Sequence, residues 1–267
     1  MYEAHFQLVN APFRESIDPA EWVGLPSREA ALRRLAFAIE RTRGPALIFG
    51  PAGAGKSMIA RKYAESRNGP VVEIPFPELS ARDLLSYMAR ELNCVSPAET
   101  GLETADLART LHSRIADFAR AETRVLVWID HVQTLHEPDA FEALNALSGF
   151  RSDGSPALDV VYCGTTEAVL NAPRAFLDRL AARCLAGPLS ESETETYVTD
   201  RLKLAGASRC LFDPPALRLL HQAGGGLPRS LNRISDLALL IAATQGRPRV
   251  NERIVALAAT EYQSPLP

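Results

Sequence analysis

The chain has 267 residues, 46% of them apolar and 23% charged, with a formal net charge of −3. That length suits one or two domains with a sizeable core. The slightly negative balance excludes a global pull towards nucleic acid or an anionic membrane and leaves only a local basic patch open. Cys94, Cys163, Cys184 and Cys210 are scattered without a C-x-x-C pair. They read as reduced core thiols of a cytoplasmic protein. No signal-peptide pattern opens the sequence, and stretches such as Leu237–Ala243 are far short of the ~20 apolar residues that span a bilayer. Direct membrane insertion is therefore not expected.

Residues 1–26, rich in proline and aromatics, read as an ordered arm. The pattern predicts a helix over 27–43, with Ala31, Leu35, Ala38 and Ile39 on one face and Ser27 as its cap. Ala46-Leu47-Ile48-Phe49 is a short apolar run expected to be a buried strand. Directly after it stands Gly50-Pro51-Ala52-Gly53-Ala54-Gly55-Lys56-Ser57, with Met58 opening an expected helix to Glu65. This octet fits G-x-x-x-x-G-K-[S/T] at every fixed position, and both flanks have the required character. Its glycines allow backbone conformations that a side chain would block. Successive amides then form an anion nest, to which the following helix adds its positive end. Lys56 is expected on the β- and γ-phosphates and Ser57 on Mg²⁺. The implied cofactors are ATP and Mg²⁺.

Further along, Val71–Ile74 reads as a strand and 81–92 and 104–121 as helices with apolar stripes. Val125–Asp130 is an apolar strand ending in a carboxylate, Phe141–Phe150 reads as helical, and Leu158–Gly164 is a fourth strand. A short helix over 174–183 and a strand over Cys184–Leu189 complete the alternation. Such alternation implies a parallel sheet with helices on both faces. After Ser190 only helices are expected, over 190–205, 213–223, 228–245 and 250–262. Ser190 and Ser192 ahead of Glu191, Glu193 and Glu195 mark a start, and Gly224-Gly225-Gly226 and Gly246 mark stops. The expected fold class is α/β: a P-loop NTPase core with a five-stranded parallel sheet over 1–189, and an all-helical lid over 190–267.

Asp130 carries the second half of the site. A strand-terminal aspartate holds Mg²⁺ in P-loop NTPases, and ligands of open α/β sheets gather at that edge. The plainer alternative is a carboxylate capping the next turn. Together with the phosphate loop, the metal role is favoured for Asp130 beside Ser57.

Four strings resemble the ExeA/GspA-like AAA+ ATPases. They are Tyr2…His5-Phe6-Gln7-Leu8…Pro12-Phe13; Val127-Trp128-Ile129-Asp130-His131-Val132-Gln133-Thr134-Leu135; Pro188-Leu189-Ser190…Glu193-Thr194…Tyr197-Val198…Arg201-Leu202…Ala205-Gly206; and Gly226-Leu227-Pro228-Arg229-Ser230-Leu231-Asn232. Transposition regulators of the TnsC and TniB type are similar neighbours. The resemblance implies that the opening string, with Phe13, helps wall the adenine pocket. It implies that Arg229 is a lid arginine reaching the γ-phosphate, and that Thr165 is a polar sensor. Arg179, or else Arg183, would be a finger reaching a neighbour's nucleotide. It also implies a homo-oligomer, because the site is completed across a subunit boundary. A guanidinium near the γ-phosphate offsets the charge that develops in transfer. The bland reading of Arg179 and Arg183 is a solvated helix face, and that of Arg229 a structural helix start.

One departure matters. Where the family has a glutamate that orients and deprotonates water, this chain has His131. An imidazole can accept a proton near neutrality but exerts no anionic pull on water. General-base contributions are typically 10²–10⁴-fold, so a slow ATPase or a protein that only binds ATP is expected. Glu73 is the one nearby carboxylate considered as a substitute. Three functions stay open: an ATPase or switch driving assembly of a secretion or envelope complex; an ATP-dependent DNA-binding regulator; and a nucleotide-stabilised scaffold without turnover. DNA as a partner rests on Arg33, Arg34, Arg41, Arg43, Arg61, Lys62 and Arg67, and a protein partner on the family.

Overall fold

The computed structural model describes residues 2–42, 44–75, 78–96, 101–134, 142, 145–146, 149–152 and 154–263. In chain order the helices are α1 (Glu3–Phe6), α2 (Pro26–Phe37), α3 (Lys56–Glu65), α4 (Ala81–Glu91), α5 (Thr104–Arg120), α6 (Thr166–Asn171), α7 (Arg174–Leu177), α8 (Glu191–Leu204), α9 (Pro214–Gly224), α10 (Pro228–Thr244) and α11 (Glu252–Gln263). The strands are β1 (Ala46–Phe49), β2 (Val71–Ile74), β3 (Val125–Ile129), β4 (Arg151–Ser152), β5 (Ser155–Pro156), β6 (Leu158–Gly164) and β7 (Ala182–Leu185). The helix read at Phe141–Phe150 lies largely outside the described residues. The chain divides into two compact units. One comprises Ala31–Gly50 and Ile59–Leu185; the other comprises Met1–Ala30, Pro51–Met58 and Ala186–Pro267.

The first unit holds the sheet. Its five strands run parallel in the order β2-β3-β6-β1-β7. Every residue of β3 and β6 is buried, which is why both read as unbroken apolar runs rather than alternating ones. Asp159 is the exception within β6. Its carboxylate receives ion pairs from Arg67 and Arg124, and Arg67 Nη1 also donates to the Tyr63 hydroxyl at 2.8 Å. Arg124 Nη2 donates in turn to the Ile39 carbonyl at 3.1 Å, tying that network to the turn after α2. Ser80 caps α4 by accepting the Asp83 amide at 3.1 Å. The helix expected over 27–43 begins at Pro26, one residue early, and relaxes into a π-turn over Ala38–Thr42. The helix expected over 174–183 is only Arg174–Leu177, and the strand expected over Cys184–Leu189 runs instead over Ala182–Leu185. Two further features escaped the sequence reading here. One is the two-residue β4–β5 hairpin; the other is α6, whose six residues are too few to show a helical period.

The second unit is helical. Helices α8 to α11 follow the expected spans to within one or two residues. Ser190 and Glu193 form a reciprocal capping box at the start of α8: the Glu193 amide donates to Ser190 Oγ at 3.2 Å, and the Ser190 amide to Glu193 Oε2 at 3.1 Å. The arm is folded into the same core. Tyr2, Leu8, Phe13, Val23 and Leu25 cluster with Tyr197, Leu202, Phe212 and Leu231. Arg201, 4% exposed, fastens the arm from within by donating to the Pro12 carbonyl at 2.7 Å and the Arg14 carbonyl at 3.2 Å, with Glu21 Oε2 at 2.9 Å. Gly226 closes the α9–α10 turn at φ +66°, where a Cβ would stand 2.4 Å from the Leu189 carbonyl oxygen. Only glycine fits that approach.

The four cysteines are free, and among the described residues no helix is long and apolar enough to cross a membrane.

Removing the Asp159 charge leaves two largely buried guanidinium groups without their counter-ion. Asp159→Asn is expected to lower the unfolding free energy by about 3 kcal/mol, read from the urea midpoint, and a loss below about 1 kcal/mol contradicts this account.

Candidate functional site

From Pro51 onward the phosphate loop belongs to the same unit as the C-terminal helices. The loop turns back on itself, the Ala54 amide donating to the Pro51 carbonyl at 3.2 Å. Lys56 Nζ donates to the same carbonyl at 2.9 Å, so the ammonium folds over the loop it follows. Helix α3 begins at Lys56, which directs its first turn and positive end into the loop. Ala54 is buried, Ala52 is exposed, and Lys56, Ser57 and Met58 are partly buried.

Gly53 shows why the loop needs its glycines. It sits at φ +77°, and a Cβ there would stand 2.8 Å from the Cβ of Arg229. The Arg229 amide donates to the Gly53 carbonyl at 3.2 Å. The first turn of α10 thus rests on the loop through main-chain atoms, and the sequence-predicted Lys56, Ser57, Gly53 and Arg229 come together in one body. This cradle fits a polyphosphate: a tight amide-lined turn that a side chain would fill, with one ammonium, one hydroxyl and one guanidinium beside it. Phe13 belongs to the same unit. It is 2% exposed and meets Phe212 edge to face at 6.2 Å, inside the apolar core of the helical unit.

The other predicted residues lie in the sheet unit. Strands β3, β6 and β1 are consecutive neighbours and end at one edge, where they deliver Asp130, Thr165 and Gly50. The Asp130 amide donates to the Ile74 carbonyl at 2.9 Å, and its Oδ1 accepts the His131 amide at 2.8 Å. The aspartate is 8% exposed. One of its oxygens is engaged locally, as the turn-capping alternative requires, yet a carboxylate has lone pairs enough for a cation as well.

His131 adopts φ +53°, a left-handed conformation uncommon for a residue with a side chain. Its carbonyl accepts both the amide of Thr134 at 2.9 Å and its hydroxyl at 3.0 Å, closing the short turn Val132–Thr134. The imidazole is half exposed, with Nδ1 3.5 Å from Asp130 Oδ1. The sheet edge therefore presents an imidazole beside the carboxylate. Glu73 does not reach that edge. It pairs with Trp128 in register, its carboxylate binds Arg61, and its carbonyl accepts the Tyr87 hydroxyl at 2.9 Å.

Thr165 is the N-cap of α6, its Oγ1 accepting the Ala168 amide at 3.3 Å. Its own amide donates to Gln133 Oε1 at 3.2 Å. Gln133 thereby links the turn after β3 to the end of β6. Gln133 carries no local sequence signal for this role, because the link spans two strands. Arg179 and Arg183 are both exposed. Arg179 lies close enough to the fully buried Tyr162 to oppose the upward push of burial on that phenol. Arg183 stands opposite Leu47 on β7.

Comparisons agree with this architecture. A family model described as an AAA domain matches residues 39–170. General secretion pathway protein A of Aeromonas hydrophila is 32% identical over 268 residues, covering 98% of this chain and 48% of that protein. The chain thus spans about half the length of the curated relative it matches. Among solved structures, Cdc6p from Pyrobaculum aerophilum has a TM-score of 0.72 at 20% identity, covering 99% of this chain and 72% of that one. The Aeropyrum pernix ORC1 protein in complex with DNA gives 0.70 at 18%, covering 92% and 68%. The Thermotoga maritima RuvB Holliday junction branch migration motor gives 0.63 at 19%, covering 95% and 73%. These structures speak for the fold alone. With the motif strings, the five-stranded parallel sheet and the helical C-terminal region, the findings support an ExeA/GspA-like AAA+ P-loop ATPase.

Proposed function

We propose that this chain is an ATP-dependent switch that hydrolyses slowly and serves the assembly of a protein complex. The observation that carries the reading is the main-chain bond between the phosphate loop and α10. It makes the helical unit a direct reader of what the loop holds, since the Arg229 backbone cannot shift without disturbing Gly53.

In this reading the loop amides and Lys56 bind the phosphate tail of ATP, Ser57 is the loop residue that would hold Mg²⁺, and Asp130 keeps the metal role that the sequence suggests. The cation would neutralise charge on the phosphates and orient them. Arg229 contributes a guanidinium beside the loop. Thr165 keeps its hydroxyl proton available while its oxygen caps α6. Slow turnover follows from His131: the turn after β3 offers an imidazole where an anionic base would draw a proton from water.

The assembly role, a homo-oligomer with Arg179 or Arg183 acting on a neighbouring subunit, and a cytoplasmic working place all belong to this proposal. Of these, only the assembly role draws support from the similarity to a general secretion pathway protein; the others carry over from the sequence reading. A salt-sensitive, ATP-dependent shift of duplex DNA would instead favour the regulator reading. Nucleotide retained through purification without turnover would favour the scaffold.

Two substitutions test the site. Lys56→Ala is expected to abolish ATP binding by calorimetry; retained affinity contradicts the phosphate-loop assignment. His131→Glu is expected to raise the rate of phosphate release by at least about tenfold, the low end of a restored general base, and an unchanged rate removes the explanation for slow turnover.

A further inference from the structure

Glu15 has no part in the site described above, yet it faces Arg229, whose amide is bonded to the phosphate loop. Its Oε1 lies 2.6 Å from Arg233 Nε and its Oε2 lies 3.7 Å from Arg229 Nε. Arg229 and Arg233 are one helical turn apart on α10, so a single carboxylate bridges two cations on the same face. All three side chains are about half exposed.

The arm fixes Glu15 where it stands. Just before it, the Pro12 and Arg14 carbonyls are bound by the buried Arg201. Just after it, the Asp18 amide donates to Ser16 Oγ at 3.0 Å, and Asp18 Oδ1 caps the next turn through the Ala20 amide at 2.9 Å. Phe13 is sealed in the core. A carboxylate carried on so tethered a segment cannot simply swing away when another anion arrives.

Electrostatics then sets a competition. Lys56, Arg229 and Arg233 belong to one body, and the loop amides add positive potential of their own. Without an anion these groups repel, and Glu15 offsets part of that repulsion. A polyphosphate on the loop draws on the same Arg229 guanidinium. Loop amides take the inner phosphates and the lysine the outer ones, so the next cation outward would meet the terminal phosphate.

We infer that Glu15 is an internal counter-anion that competes with the terminal phosphate of a nucleoside triphosphate for Arg229. It is a positioning residue. It offsets the charge of the guanidinium beside the loop until a terminal phosphate competes for it, and it thereby lowers affinity for ATP while leaving a diphosphate nearly untouched. This rests on the reading of the loop as a nucleotide site.

The test is calorimetric titration of the full chain with Mg·ATP and with Mg·ADP. Glu15→Gln keeps the size and removes the charge. It is expected to tighten ATP about two- to fivefold, the range of a half-exposed ion pair, and to leave ADP within about twofold. In an Arg229→Ala background the same change is expected to alter ATP affinity by less than about twofold, because the coupling partner is gone. An equal gain for ATP and ADP, a gain that persists without Arg229, or no gain at all overturns the inference while the loop assignment stands. A wild-type chain that binds no ATP overturns both.

Discussion

The structure depends on the parallel pairing of β3, β6 and β1. Register fixes which residue leaves each strand at the common edge: Ile129 stands against Tyr162, and Phe49 against Gly164. Asp130, Thr165 and Gly50 follow as a geometric consequence. A slip of one residue would turn every buried side chain of β6 to the opposite face. The apolar faces therefore hold the chemical edge in place, and the buried ion-pair network around Asp159 ties the opening of β6 to α3 and to the turn after α2.

The helical unit is organised around a different constraint, the contact of Gly53 with Arg229. Its value lies in what it couples. The phosphate loop is bonded to the start of α10, α10 carries Arg229 and Arg233, and both face Glu15 on an arm that Arg201 binds from the core. The loop is thus linked to residues far apart in sequence. This suits a protein in which bound nucleotide matters as much as its turnover. His131 stands at the end of β3 in a left-handed turn, where the resemblance implies an acid.

Much of this was legible in the sequence, for physical reasons. Glycine spacing with a strand before and a helix after leaves few alternatives to a phosphate loop. Helices α8 to α11 announced themselves through apolar periodicity, and α8 also through the Ser190–Glu193 capping box. What stayed hidden was long-range. Glu15 meets Arg233 across 218 positions and carries no local signature. Gln133 bridges to Thr165 only because β6 lies beside β3. Helix α1 has four residues, too few for a period to emerge. Glu73 looked like a candidate base on the strand next to Asp130, but its pairing with Arg61 could be seen only once α3 and β2 were in place.

The central claim is that the main-chain amides around Ala52–Ser57 grip a polyphosphate. Hydrogen exchange of the full chain with and without Mg·ATP tests it directly. The account predicts that saturating Mg·ATP slows exchange in the peptide spanning Gly50–Met58 and in the first turn of α10. Nucleotide bound with exchange unchanged in both segments would contradict it.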